Sequence, residues 1–185
     1  PAYDPRGAYG MALGYALSTR GACHLRAYPI GHEILRKPAP TDRFSFEGKA
    51  RIVKIAEDAN AVIDSLTACK FVFFGASLEE YAKAYSAICG LSSSGQDLLA
   101  LGERTYYAER IMNALNGFDA THDDLPARFF EVAGSHGNGI EVPALSREDF
   151  LAARARYYRI RGLDEQGLPI PERAAALGLG ASWPA

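Results

Sequence analysis

Two short stretches carry the residue types that could do chemistry. In "RGACHLRAYPIGHE", residues 20–33, Cys23, His24, Arg26, His32 and Glu33 share one segment punctuated by proline and glycine. A histidine can give or take a proton near neutral pH. An arginine can hold a phosphate or a carboxylate through two parallel hydrogen bonds. In "IDSLTACKF", residues 63–71, Asp64 and Cys69 stand five positions apart. A carboxylate accepts hydrogen bonds, and a thiolate is a soft metal ligand. Each also has an ordinary reading. Residues 20–33 read as a surface loop, and Asp64 as an exposed helix-end residue whose charge opposes the helix dipole. Cys69 reads as a buried thiol before an apolar turn. Neither Cys23 nor His24 has a triad partner nearby, and Cys23 fits a small buried hydrophobe. Cys89, four residues after Tyr85 on one helix face, reads as core. His122 and His136 fall in loops and read as solvated, and the tyrosine pairs 106–107 and 157–158 read as packing.

The elements that must position these residues are helical. From 47 to 67, Ile52, Ile55, Ala56, Ala59, Ile63 and Leu66 recur at three- and four-residue steps, a single apolar stripe that ends at Ala68–Cys69. Ser77, with Glu80 three residues on, opens a helix to Cys89 that Gly90 ends, with Leu78, Tyr81, Ala82, Tyr85 and Ile88 inward. The longest helix spans 95–115, with Leu98, Leu101, Tyr106 and Ile111 inward and Asn116–Gly117 as its stop. Ser146 and Asp149 open another over 147–161, and Pro171 starts a short closing helix. Before all of these, Tyr9 to about Thr19 reads as an apolar helix with Gly21 as its stop. Gly10 and Gly14 lie on one face, where another backbone can approach closely. Residues 1–10, most of 22–44 and 118–143 read as turn or irregular chain. With no alternating strand and no repeat, the expected fold is all-α, an irregular bundle of about five to seven helices.

Composition narrows the function. The chain of 185 residues is 48% hydrophobic with a net charge of -2. No basic block would track a phosphate backbone, which argues against nucleic acid. No apolar run nears the roughly 20 residues of a membrane span, and the first residues do not read as a secretory leader. Three cysteines without a close-spaced pair argue against a disulfide scaffold and for a reducing, cytoplasmic setting. They also argue against a self-contained zinc or iron–sulfur site.

Three stretches point further: "PAYDPRGAYGMALGYALSTRGACHLRAY", "DANAVIDSLTACKF" and "GLDEQGLPIPERAAALGL". In this order and spacing the chain, over about residues 1–179, resembles the C-terminal helical portion of the tungsten-containing aldehyde ferredoxin oxidoreductase family. The resemblance implies a tungsten (or molybdenum) bis-pterin cofactor on a β-rich base, helical domains that close over it, and a [4Fe–4S] cluster nearby. Three cluster cysteines of the family come from a close-spaced motif in the middle domain and the fourth from an "Asp…Leu-Cys" segment. By that match Cys69 is the fourth cluster ligand, Asp64 hydrogen-bonds a pterin ring, and Ala68 contributes through its backbone carbonyl. His24 takes the place of a proton donor or orienting group near the metal, and Arg26 helps to hold the cofactor. The apolar turn 71–74 would line a substrate channel.

The β base and the three-cysteine motif are missing from these 185 residues, and "PAYDPR" resembles an internal stretch of the family. The expectation is therefore a piece of a longer chain or one part of a split enzyme, inactive and free of cofactors when alone. Its partners would be the missing N-terminal and middle domains, ferredoxin, a small aldehyde and a second copy in a homodimer. The parent reaction would be oxidation of an aldehyde by water to a carboxylic acid. Two alternatives remain open: a non-catalytic helical interaction module, and the same family with another substrate, such as an aromatic acyl-CoA or a carboxylic acid to be reduced.

Overall fold

A computed structural model describes residues 3–180, apart from the side chains of residues 73 and 74. Helix α1 (Tyr9–Leu17) is buried along its whole length, as its apolar run "YGMALGYAL" requires. A single turn, α2 (Ile30–Glu33), follows. Then come α3 (Lys49–Ser65), α4 (Leu78–Cys89) and α5 (Gly95–Leu115), a turn α6 (Arg128–Glu131), α7 (Arg147–Arg161) and α8 (Pro171–Ala176). Short 3-10 turns occupy Pro5–Gly7 and Lys70–Phe74. Pairing among the described residues is limited to isolated bridges, so the fold is all-α. The boundaries expected from periodicity and caps agree for α4, α5 and α7 and lie within two residues for α3. Ser77 and Glu80 form the expected capping box, Ser146 accepts from the Asp149 backbone N–H, and Pro171 stands in the first turn of α8.

Helix α3 is the hub. It packs most extensively along α5, then on α7 and α1. The main core joins α1 with Tyr107 and Ile111 of α5 and Phe150, Ala153 and Tyr157 of α7. A smaller cluster of Val62, Ala82 and Leu98 ties α4 to α3 and α5. The closeness of α3 and α5 depends on Gly102, where an added Cβ would run into the carbonyl of Asp58. Gly102→Ala is expected to force the helices apart and cost about 1–3 kcal/mol. Urea unfolding would measure it, and an unchanged midpoint would show that the crossing is looser than described.

Gly10 and Gly14 do admit a close approach, but by side chains of the segment 27–33 rather than by its backbone. A Cβ at Gly10 would meet Pro29 and Glu33, and one at Gly14 would meet Ala27. The Gly10 N–H donates to Glu33 Oε1 at 2.7 Å, and Lys49 pairs with the same oxygen at 3.0 Å. Glu33, one of the polar residues of the 20–33 segment, is thus buried and caps α1 with Lys49 as its counter-ion.

Several expectations are corrected. Helix α1 stops at Leu17, four residues before Gly21. Cys89 is exposed rather than core, and Ile88 beside it is 84% exposed. Both lie in the last turn of α4. Leu101 is also exposed, and so is Ile55 on the α3 stripe. The four tyrosines at 106–107 and 157–158 are buried, but their hydroxyls bond to Glu57, Asp123 and backbone carbonyls. They act as polar pins as well as packing.

Candidate functional site

The distance between Asp64 and Cys69 is fixed by how α3 ends. The N–H of Thr67 donates to the Asp64 carbonyl at 3.1 Å, and the N–H of Ala68 donates to the Ile63 carbonyl at 3.0 Å. This is the paired 5→2 and 6→1 closure of a Schellman motif. Its left-handed position is normally glycine, yet here it is Thr67 at φ 53°. A β-branched residue there is strained, by roughly 1–2 kcal/mol. The closure turns the chain out of the helix so that Ala68 is half-buried and Cys69 is exposed. Cys69 is therefore not the buried thiol of the ordinary reading. The turn Lys70–Phe74 follows, with Phe71 and Val72 exposed; the side chains of residues 73 and 74, expected to line a channel, lie outside the described residues.

Asp64 is not a simple solvated residue either, since its side chain is 33% exposed and faces three cations. Arg26 Nη1 lies 3.1 Å from Oδ2, Lys70 Nζ lies 2.9 Å from Oδ1, and Arg20 stands farther off at 3.8 Å. These charges offset the unfavourable end of the α3 dipole. Burial lowers the pKa of Lys70 against the pull of Asp64. Arg26 is itself 3% exposed. Burial opposes its charge, but Glu109, Tyr106 and Asp64 keep it raised. Its second nitrogen, Nη2, bonds Glu109, and its guanidinium lies over the Tyr106 ring at 5.3 Å. On the same ring Arg161 lies at 4.4 Å, so Tyr106 links the site to the core.

The other candidates of the 20–33 segment separate. His24 is half-buried and meets the Tyr3 ring edge-on at 6.1 Å. Cys23 is half-buried rather than a core hydrophobe, and Arg20 donates to its sulfur at 3.3 Å. Burial alone would raise the Cys23 thiol, but the Leu25 backbone N–H and Arg20 bring it below its ordinary value. His32 faces the Ala39 carbonyl at 2.9 Å through Nδ1. His122 and His136 are exposed.

Of Tyr106, Glu109 and Asn113, sequence reading placed only the first, as an inward packing residue. They form one stripe of α5 that grips the chain before the site. Tyr106 donates to the Leu17 carbonyl at 2.8 Å, Thr19 Oγ1 donates to Glu109 at 2.6 Å, and Asn113 donates to the Thr19 carbonyl at 2.8 Å. Their spacing of three and four residues was the available signal, but a polar helical stripe reads equally well as a solvated face.

The donor set leaves positions open for a bound group. Cys69 offers an exposed sulfur, and Asp64 has acceptor positions beyond those taken by Arg26 and Lys70. Arg26 Nε is buried without an acceptor. Among the described residues no group of three or more His, Cys, Asp or Glu side chains is placed to hold a metal ion. No helix among them is long and apolar enough to cross a membrane.

Comparison with known proteins gives the family of the chain. Residues 1–179 match the family model "Aldehyde ferredoxin oxidoreductase, domains 2 & 3". The tungsten-containing aldehyde ferredoxin oxidoreductase of Pyrococcus horikoshii is 39% identical over 97% of this chain and 29% of its own length. The enzyme of the same name from Thermococcus kodakarensis is 38% identical over the same shares. A WOR-like subunit of an aliphatic sulfonate oxidoreductase from Pyrococcus furiosus is 32% identical over 93% of this chain and 25% of its own. The chain thus spans less than a third of the curated relatives it matches. Among solved structures, the active site complex of benzoyl coenzyme A reductase with 1,5-dienoyl-CoA superposes with a TM-score of 0.62 at 18% identity. That match covers 81% of this chain and 21% of the other, and it speaks to the fold alone. With the family model matched across nearly all of its length, the chain belongs to the aldehyde ferredoxin oxidoreductase family.

Proposed function

We propose that this chain is the C-terminal helical region of a tungsten (or molybdenum) bis-pterin, iron–sulfur enzyme that oxidises aldehydes to carboxylic acids. In this reading it closes over the pterin and supplies Cys69 as the fourth ligand of a [4Fe–4S] cluster, with ferredoxin as electron acceptor. The observation that carries the reading is the end of α3, where one Schellman closure presents Asp64 among cations and Cys69 in the open. When bound, the pterin-held metal would supply the two-electron step and the cluster a one-electron exit. The chain's own residues bind and orient. Asp64 accepts from pterin ring N–H groups, the Ala68 carbonyl adds a second acceptor, and Arg26 contributes positive charge beside them. His24, beside Tyr3, holds or moves a proton where substrate would lie. One thiolate does not retain a cubane cluster, so the region by itself is inactive and needs the remaining domains.

The test is aldehyde-dependent reduction of ferredoxin by the full-length protein, with pterin content measured in parallel. His24→Ala is expected to lower turnover by about 10²–10⁴-fold while pterin content stays near that of the parent. Asp64→Asn should do the reverse, shedding pterin first. Unchanged turnover in His24→Ala across pH 6–9 would remove His24 from the chemistry. Absence of any redox activity in the cofactor-loaded protein would favour an interaction module. A second reading keeps the family and changes the substrate, because a relative at 32% identity carries the name of an aliphatic sulfonate oxidoreductase subunit. A panel of aldehydes, sulfonates and acyl-CoA esters in the same assay separates the two.

A further inference from the structure

Arg26 meets two carboxylates with two different nitrogens, Nη1 toward Asp64 and Nη2 toward Glu109. Left to itself, a guanidinium takes one carboxylate with two parallel N–H···O bonds. Other arginines of this protein do so. Arg110 forks onto Asp123 at 2.8 and 2.7 Å, Arg147 onto Asp124 at 2.6 and 2.5 Å, and Arg6 onto Asp4 at 2.9 and 2.6 Å. Arg26 is held apart from that arrangement. Glu109 is fixed by Thr19 Oγ1 at 2.6 Å, and the Tyr106 ring lies beneath the guanidinium. Both Glu109 and Tyr106 belong to one rigid helix, α5.

We propose that Glu109 is a positioning residue for the pterin site: by drawing Nη2 of Arg26 away, it stops Arg26 from closing on both oxygens of Asp64. This rests on the reading of Asp64 given above. A carboxylate has about four acceptor positions. Lys70 takes one on Oδ1 and Arg26 one on Oδ2. A forked Arg26 would take a further one and turn the open edge of the carboxylate toward protein. Removing Glu109 therefore strengthens one contact and weakens what Asp64 can bind.

The test uses the full-length protein as Glu109→Gln, Arg26→Lys and the double variant. In crystals of pterin-free Glu109→Gln, Arg26 should place two nitrogens on Asp64. Pterin retained through gel filtration should fall by about tenfold, the equivalent of one charge-assisted hydrogen bond. In the Arg26→Lys background the same Glu109→Gln change should cost almost nothing more, because an ammonium cannot fork. A split Arg26 persisting in Glu109→Gln overturns the proposal. So does an equal loss of pterin in both backgrounds, which would make Glu109 an ordinary structural contact. Full retention in Asp64→Asn overturns the role of Asp64 and this one with it. Full retention in Glu109→Gln beside loss in Asp64→Asn overturns this one alone.

Discussion

Cys69→Ser in the full-length protein is expected to leave the [4Fe–4S] cluster labile or missing, to shift its potential where it survives, and to abolish electron transfer to ferredoxin. Thiolate is a soft ligand suited to iron, and a serine hydroxyl is a poor substitute. The substitution barely changes side-chain volume, and Cys69 is exposed, so little packing is at stake. The Schellman closure uses backbone groups of Ile63, Asp64, Thr67 and Ala68, and all of these survive the change. Lost function would therefore report ligation and not misfolding. The other two cysteines are the controls. Cys89 is exposed at the far end of α4, and Cys23 sits beside Arg20. Neither Cys89→Ser nor Cys23→Ser should change iron content. Iron analysis and the electron paramagnetic resonance signal of the reduced cluster decide the matter in all three variants. A full cluster in Cys69→Ser, or its loss in Cys23→Ser instead, would assign the ligand elsewhere.

What could be read from the sequence follows from how local each cause is. Ser77 and Gly90 for α4, Asn116 and Gly117 for the end of α5 and Ser146 for the start of α7 were legible because each acts within a few residues of itself. The end of α1 was not, because its cause is distant. Tyr106 and Asn113 take the carbonyls of Leu17 and Thr19, so the chain leaves the helix before Gly21. The exposure of Ile88 and Cys89 was illegible for a similar reason. Their spacing continues the inward face of α4, and nothing in it marks the last turn as uncovered. The α3 closure gave no glycine signal, since Thr67 holds the left-handed position. The segments carrying Asp64, Cys69 and Arg26 stood out because they resemble a family. Glu109 stood out by neither route, being joined to Arg26 across 83 positions.

Arg161→Met should destabilise the fold by about 3–5 kcal/mol at pH 7–8, the cost of stripping the partner from a buried charge. Arg161 is fully buried between two acids of α3. Its Nη2 lies 2.7 Å from Glu57 Oε2, and its Nη1 bonds Asp58. Methionine fills similar length without charge, so cavity formation is a minor part of the loss. Asp58 would keep Lys54 at 2.8 Å, but Glu57 would be left with the hydroxyls of Tyr106 and Tyr157. Burial pushes the Glu57 pKa up to about 7, against Arg161 and those hydroxyls. Proton counting supports the direction: Tyr106 Oη faces both the Leu17 carbonyl and Glu57 Oε1 but has one proton to give. A proton on Glu57 would supply the second bond. The raised value fixes the sign of the pH dependence. The folded state holds this proton more tightly, so its stabilisation is complete below about pH 4.5 and is lost as pH rises through about 7. Without Arg161 the charged form is harder to bear, and the proton is retained to higher pH still. The deficit of Arg161→Met should thus be largest at pH 8 and shrink on acidification toward pH 5. Adding Glu57→Gln should flatten that dependence. Urea unfolding of both variants and the parent at pH 5, 7 and 8 measures this. A deficit that grows as pH falls would mean that Arg161 is not there to balance the Glu57 charge.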